Sequence, residues 1–271
     1  MPRVAIFQAN TGIDPARNAV ALRSAITTAA DGGATMLFTP EMSGLLDRDR
    51  KRATAHVVAE GENPVLAAAC DGAAQHGLWI ALGSLAVAGD GERWANRSFV
   101  IDDAGAIVAR YDKMHMFDVD LADGESWRES NAYAPGSEVV TVETPVGRLG
   151  LTVCYDIRFP ALFDALGRAR CDVIAIPAAF TRPTGRDHWH LLQRARAVEA
   201  SAFVVAAAQV GEHEDGRQTY GHSLAIDPWG KVLLDMGGEA PGVGFVDLDL
   251  GRIAEVRQQV PSLANRREMP K

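Results

Sequence analysis

The stretch Ser98-Phe99-Val100-Ile101-Asp102-Asp103-Ala104-Gly105-Ala106-Ile107 has a counterpart in Ser223-Leu224-Ala225-Ile226-Asp227-Pro228-Trp229-Gly230-Lys231-Val232. Both read Ser-x-x-Ile-Asp-x-x-Gly-x-Ile/Val. A β-prone run, an Asp able to bond its own turn, a Gly closing the turn and a second β-prone run form a hairpin signature. Working outward, strongly apolar strands begin at Trp79 and at Phe203, nearly the same distance ahead of the two hairpins. Farther back, Leu37-Phe38-Thr39-Pro40 corresponds loosely to Ala175-Ile176-Pro177. The expectation is two similar halves, each strand, helix, strand, helix, strand and hairpin, packed sheet against sheet with helices outside.

The remaining elements fit that plan. Val4 to Gln8 reads as a strand and Pro15 to Ala30 as a helix, with Asp14 as N-cap and Pro15 in the first helical position. Met36-Leu37-Phe38 is a second strand, so the chain opens with a parallel β-α-β unit. Asn63 caps a helix that Gly77 ends, and Trp79 to Val87 follows as a strand. In the second half, strands at Val139 to Val142 and Leu149 to Val153 bracket a turn at Pro145-Val146-Gly147-Arg148. A helix from about Pro160 to Arg168, a strand at Val173 to Ile176, a helix from about Asp187 to Ala200 and a strand at Phe203 to Ala208 follow. Such alternation defines an α/β sandwich, expected as a single domain over 1–271. Met114 to Pro135 lacks periodicity and is rich in acidic and aromatic residues. It is too long for a mere connection, and loops of that kind carry function.

Composition narrows the possibilities. The chain has 271 residues, 47% hydrophobic and 23% charged, enough for a full core. A net charge of -8 and the absence of a long Lys/Arg run exclude a nucleic-acid binder. Cys70, Cys154 and Cys171 are odd in number and irregularly spaced, which suits free thiols in a reducing cytosol. No apolar run reaches the roughly 20 residues of a membrane span, and the expected location is cytoplasmic. His115, His188, His190 and His222 show no recognised ligand spacing, so neither a metal nor a cofactor is expected. Leu191, Leu192, Ala195 and Val198 form an apolar helical stripe that serves either core or dimer contact.

The chemistry centres on Arg148-Leu149-Gly150-Leu151-Thr152-Val153-Cys154-Tyr155-Asp156-Ile157-Arg158-Phe159-Pro160, an apolar run that stops at a cysteine and turns polar. An isolated cysteine after such a run also describes a small core residue. Glu41 and Lys113, however, likewise stand just past the ends of expected strands, where α/β sheets form their crevices. A thiol to attack an electrophilic carbon, a carboxylate to take its proton and an ammonium to neutralise developing negative charge suit one reaction. Taken singly, Glu41 also reads as a solvated turn residue and Lys113 as an ordinary surface lysine, and spacing alone does not decide.

Thr39-Pro40-Glu41, Tyr111-Asp112-Lys113-Met114-His115-Met116-Phe117-Asp118 and Val153-Cys154-Tyr155-Asp156-Ile157-Arg158-Phe159-Pro160 together resemble the nitrilase (carbon–nitrogen hydrolase) superfamily. Arg128-Glu129-Ser130-Asn131, Ala206-Ala207-Ala208-Gln209 and Tyr220-Gly221-His222-Ser223 extend the resemblance nearly end to end, and it is strongest to the Nit branch, the group of deaminated glutathione amidase and omega-amidase. The resemblance implies a four-layer α-β-β-α sandwich, a homodimer joined through helices near the cysteine, and cleavage of the C–N bond of a small carboxyl-bearing amide with release of ammonia. N-carbamoyl amino acid hydrolase and true nitrilase activities are alternatives within the superfamily, and a scaffold with a decayed site is the non-enzymatic one. By matching positions, Cys154 is the nucleophile, Glu41 the general base, and Lys113 with the Tyr155 N–H the oxyanion hole. Glu129 matches an additional glutamate that orients Lys113 or the substrate. Arg158 is expected either to bind a substrate carboxylate or to pair with Asp156 or another acid. Arg186, Asp187 and His190 depart from the family pattern around the His188-Trp189 pair and, if their loop lines the site, shift its preference.

Overall fold

A computed structural model describes residues 1–89, 91–120, 124 and 126–267. The first half runs β1 (Arg3–Gln8), α1 (Pro15–Asp31), β2 (Met36–Phe38), α2 (Arg50–Thr54), α3 (Pro64–His76), β3 (Trp79–Ala88), β4 (Trp94–Ile101) and β5 (Ile107–Asp112). A short ribbon of β6 (Asp118–Asp120) and β7 (Ser126–Arg128) follows within the long aperiodic segment, of which 121–123 and 125 lie outside the described residues. The second half runs β8 (Thr141–Thr144), β9 (Gly147–Leu151), α4 (Pro160–Arg168), β10 (Val173–Ala175), α5 (Arg182–Ala200) and β11 (Phe203–Ala206). It continues through a small hairpin, β12 (Val210–Glu212) and β13 (Gln218–Tyr220), to β14 (Leu224–Ile226), β15 (Val232–Asp235), β16 (Gly242–Asp247) and α6 (Gly251–Gln259).

The expected repeat is present in the topology. One sheet has the order β16-β1-β2-β3-β4-β5 and the other β8-β9-β10-β11-β14-β15 when taken in the same sense. In each, three central parallel strands are flanked by one antiparallel strand on one side and an antiparallel pair on the other. The two hairpins that reveal the repeat are built alike. Asp102 Oδ1 accepts from the N–H groups of Ala104 and Ala106, as Asp227 Oδ1 does from those of Trp229 and Lys231. Gly105 and Gly230 close the turns at φ +82° and +84°, where a side chain would be strained.

Alternation along the strands makes four layers. Val4, Ile6, Met36, Phe38 and Val100 point from the first sheet into one core with Leu149, Leu151, Val173 and Ala175 of the second. Their neighbours Ala5, Leu37, Phe99 and Ile101 point the other way, onto Leu22 and Ile26 of α1 and Val65 and Leu66 of α3. On the far side, α4 and α5 cover the second sheet with Phe163, Leu166, Trp189 and Ala197.

The second half corrects several sequence boundaries. Helix α5 starts at Arg182 rather than Asp187, because Pro183 supplies a fixed φ in its first turn. Asp187, His188, Trp189 and His190 are helical, as a helix from about Asp187 requires, and Arg186 is helical too, so none of them lies in a loop. Strand β9 ends at Leu151 rather than Val153, so Thr152 and Val153 separate it from the turn that Cys154 heads. The apolar stripe of α5 divides, with Leu192 packed against the core while Leu191 and Val198 stay exposed.

Candidate active site

Strands β2, β9, β10 and β11 are parallel within their sheets and deliver their carboxyl ends to one edge of the sandwich. Two backbone bonds, Ala9 N–H to Ala208 O and Val210 N–H to Ala9 O, lace the sheets together there. Strand β5, antiparallel to β4, which is itself antiparallel to β3, reaches the same edge. Lys113 directly follows β5, and Glu41 and Cys154 each stand three residues past the ends of β2 and β9.

Each is held by its own local structure. Glu41 precedes Met42, whose φ of +56° turns the chain sharply. Gln209 Nε2 fixes the Glu41 carbonyl at 2.9 Å, and the Ala179 N–H donates to Glu41 Oε2 at 2.8 Å. Gly83 passes so close beneath this segment that a Cβ would stand 2.1 Å from the Thr39 carbonyl oxygen and 2.5 Å from that of Pro40. Lys113 is 2% exposed, with its backbone N–H on Asn96 O and its carbonyl accepting from Gly136. Cys154 adopts φ +47° at the head of a tight turn, Cys154–Arg158, and donates its N–H to Pro177 O. A left-handed conformation in a non-glycine residue costs about 1–3 kcal/mol and is kept where the surroundings enforce it. Asp156 is the enforcer. Fully buried, it accepts from Val153 N–H at 2.8 Å, Tyr111 OH at 2.7 Å, His115 N–H at 3.1 Å and His115 Nδ1 at 2.7 Å. It thereby fastens the cysteine turn to the Tyr111–His115 segment that carries Lys113.

At the centre, Lys113 Nζ donates to Glu41 Oε1 at 2.9 Å and to Glu129 at 3.0 and 2.8 Å. Asn96 Nδ2 bridges the same two carboxylates at 3.0 and 3.1 Å, and the Phe117 N–H donates to Glu129 Oε2 at 2.6 Å. Burial works against each charge, but the neighbours decide the outcome. Burial alone would raise the Glu41 carboxyl; the Lys113 ammonium, with hydrogen bonds from Lys113, Cys154 and Ala179, holds it below its ordinary value. Burial would lower Lys113, whereas Glu129 and Glu41 keep its proton bound well above the usual range. Burial pushes the Cys154 thiol well up, and the Glu41 charge adds to this against the pull of Lys113. The resting state is an ionised Glu41 beside a protonated Cys154.

These groups floor a pocket of about 320 Å³. Tyr155 and Glu129 line it; Arg158 does not. Arg158 lies instead over the Phe180 ring at 5.3 Å and meets His188 Nδ1 at 3.3 Å. The acid foreseen for it, Asp156, is fully engaged elsewhere. Outside the pocket lining, His190 and His222 both meet the Asp235 carboxylate at 2.9 Å, three residues with no sequence spacing to announce them.

The sequence profile described as carbon-nitrogen hydrolase matches residues 3–258. The chain belongs to the carbon-nitrogen hydrolase family. It is an enzyme that breaks carbon–nitrogen bonds by hydrolysis. Among its relatives, a deaminated glutathione amidase of Yersinia enterocolitica is 37% identical over 97% of this chain and 92% of that protein. The human deaminated glutathione amidase is 36% identical over 98% of this chain and 83% of its own length. The Caenorhabditis elegans NitFhit structure superposes with a TM-score of 0.89 at 34% identity, covering 98% of this chain and 65% of that longer one. An amidase of Nesterenkonia, in a variant with acrylamide added at its active-site cysteine, gives a TM-score of 0.80 at 25% identity over 96% and 98% of the two chains.

In this carbon-nitrogen hydrolase, two residues at the centre escaped sequence reading. Asn96 is 1% exposed within strand β4, and its only signal was an amide in an otherwise β-prone run. Asp156 was read as a partner for Arg158, because pairing by sequence proximity gave no hint of His115 and Tyr111.

Proposed function

We propose that this hydrolase is an amidase for small carboxyl-bearing linear amides and works through a thioester on Cys154. The observation that carries the reading is the buried Lys113 clamped between Glu41 and Glu129, with Glu41 ionised next to a protonated thiol. Cys154 Sγ attacks the carbonyl carbon as Glu41 takes the thiol proton. Lys113 and the Tyr155 N–H stabilise the oxyanion that forms. The C–N bond then breaks as Glu41 passes its proton to nitrogen, and ammonia leaves from a primary amide. Water attacks the thioester, giving its proton to Glu41; the C–S bond breaks and Glu41 returns the proton to sulfur, releasing the carboxylic acid. Glu129 touches Lys113 and not Cys154, so its role is to fix the ammonium. Relatives named deaminated glutathione amidase support an amide that bears carboxylates.

A cytoplasmic homodimer completes the proposal. No described helix is long and apolar enough to cross a membrane. Leu191, Val198 and Trp229 are 67%, 49% and 50% exposed, and Trp229 is contiguous in sequence with Gly230, which packs against Val198, so they offer an apolar face for a second copy. Light scattering at micromolar concentration tests the dimer. Ammonia release from amides, ureides and nitriles, with Cys154→Ala as control, tests the activity. Turnover of amides alone, lost in the variant, supports the reading; turnover retained in the variant refutes it.

A further inference from the structure

The same pocket holds a group of charges that the catalytic scheme leaves unused. Arg48, Arg217 and Trp127 line it. They come from segments outside the two large sheets: the approach to α2, the turn of the β12–β13 hairpin and strand β7. The Arg217 and Arg48 guanidinium carbons lie 4.6 and 5.7 Å from the centroid of the Trp127 ring, so one indole carries two cations. The acids nearby are committed. Asp47 binds Arg52 through both oxygens, at 2.6 and 2.8 Å. Asp215 accepts the backbone N–H groups of Arg48 and Arg217, each at 2.9 Å, and pairs with Arg217 through Nη2 at 3.4 Å, leaving Arg217 Nε and the Arg48 guanidinium unengaged by it. Arg48 makes no ion pair among the described residues. Arg217 Nε and Trp127 Nε1 are buried N–H groups without an acceptor. Buried N–H groups left in this state lack an acceptor.

The floor has the opposite sign. Glu41 and Glu129 outnumber Lys113, so a substrate carboxylate is repelled there and drawn towards the arginines. We propose that Arg48 and Arg217, mounted on Trp127, form the subsite for the carboxylate of the amide substrate. The guanidinium fork matches a carboxylate's two oxygens, and partial burial strengthens the contact. The substrate class that follows is an amide whose acyl chain ends in a carboxylate, bound amide down and carboxylate out. This rests on the amidase reading above.

Glutaramate and pentanamide make a matched pair of probes, since a terminal carboxylate in one is a methyl group in the other. The wild-type enzyme is expected to prefer glutaramate in kcat/KM. Arg217→Gln and Arg48→Gln should each reduce that preference by about 10- to 100-fold, through KM rather than kcat, as expected for losing a hydrogen bond to a charged group. Arg48 is exposed, so its replacement leaves the packing intact and keeps the test valid if Arg217→Gln folds poorly. Calorimetry of glutaramate binding to Cys154→Ala, with and without Arg48→Gln, reads the subsite independently of turnover. A Kd raised by the same factor supports the subsite even if hydrolysis of both amides fails, which would count against the amidase reading alone. Equal Kd values for glutaramate and pentanamide, or a preference that survives both substitutions, overturn the subsite.

Discussion

Glu129→Gln removes one charge and almost no volume, and its consequence can be worked from four donor contacts. Glu129 Oε1 accepts from Lys113 Nζ at 3.0 Å and Asn96 Nδ2 at 3.1 Å; Oε2 accepts from Lys113 Nζ at 2.8 Å and Phe117 N–H at 2.6 Å. A glutamine keeps one oxygen and substitutes an NH2 for the other. Whichever way the amide is flipped, two donors meet a donor. Losing two bonds to a buried charge, at about 1.5–3 kcal/mol each, gives about 3–6 kcal/mol. Part of that cost, about 1–3 kcal/mol, is stability, read as a fall in Tm of roughly 2–12 °C for a chain of this size. The rest is catalytic, because Lys113 loses its main anchor and turns towards Glu41, lowering the basicity Glu41 needs. Each 1.36 kcal/mol is a factor of ten, so kcat/KM should fall by about 100-fold or more. Differential scanning calorimetry and an ammonia-release assay check both. A variant within about threefold of wild-type kcat/KM and within about 2 °C in Tm would refute the clamp.

Asp156→Asn should cost about 2–5 kcal/mol in urea unfolding and lower kcat, because an NH2 there opposes two of the four donors that hold the cysteine turn. Gly83→Ala should displace the Glu41 segment, since a Cβ there meets backbone carbonyl oxygens at 2.1 and 2.5 Å, and kcat/KM should fall by about tenfold or more. The pH profile of kcat/KM should be flat near neutrality and decline only below the ordinary glutamate value of 4.5, because Glu41 must be ionised and its pKa is depressed. Stability follows the same sign. The share due to Glu41 is present above its unfolded pKa and lost as pH falls through the folded one, while the share due to the raised Lys113 is lost only as pH climbs above 10.5.

The two-half plan was legible because a hairpin turn is local chemistry. Asp102 and Asp227 each satisfy turn N–H groups two and four residues on, so the pattern survives in sequence. Strands β1, β2 and β3 were legible as strongly apolar runs. Less could be read where tertiary contacts decide. The start of α5 moved five residues because Pro183 opens a helix through residues with little apolar periodicity. Arg158 looked like a carboxylate binder by its nearness to Cys154 in sequence, yet the turn at Cys154–Arg158 carries it to His188 and Phe180. Arg48 and Arg217 gave no signal at all, being far apart in the chain and joined only through the Trp127 ring. Asn96 and Asp156 show the same limit, since a buried polar residue is defined by partners that local sequence does not contain.

Acid-quenched turnover followed by peptide mass mapping looks for the thioester itself. The expected result is the substrate's acyl mass on the peptide carrying Cys154, none on those carrying Cys70 or Cys171, and no turnover by Cys154→Ala. An acyl group mapped to another residue, or hydrolysis persisting in Cys154→Ala, would contradict it.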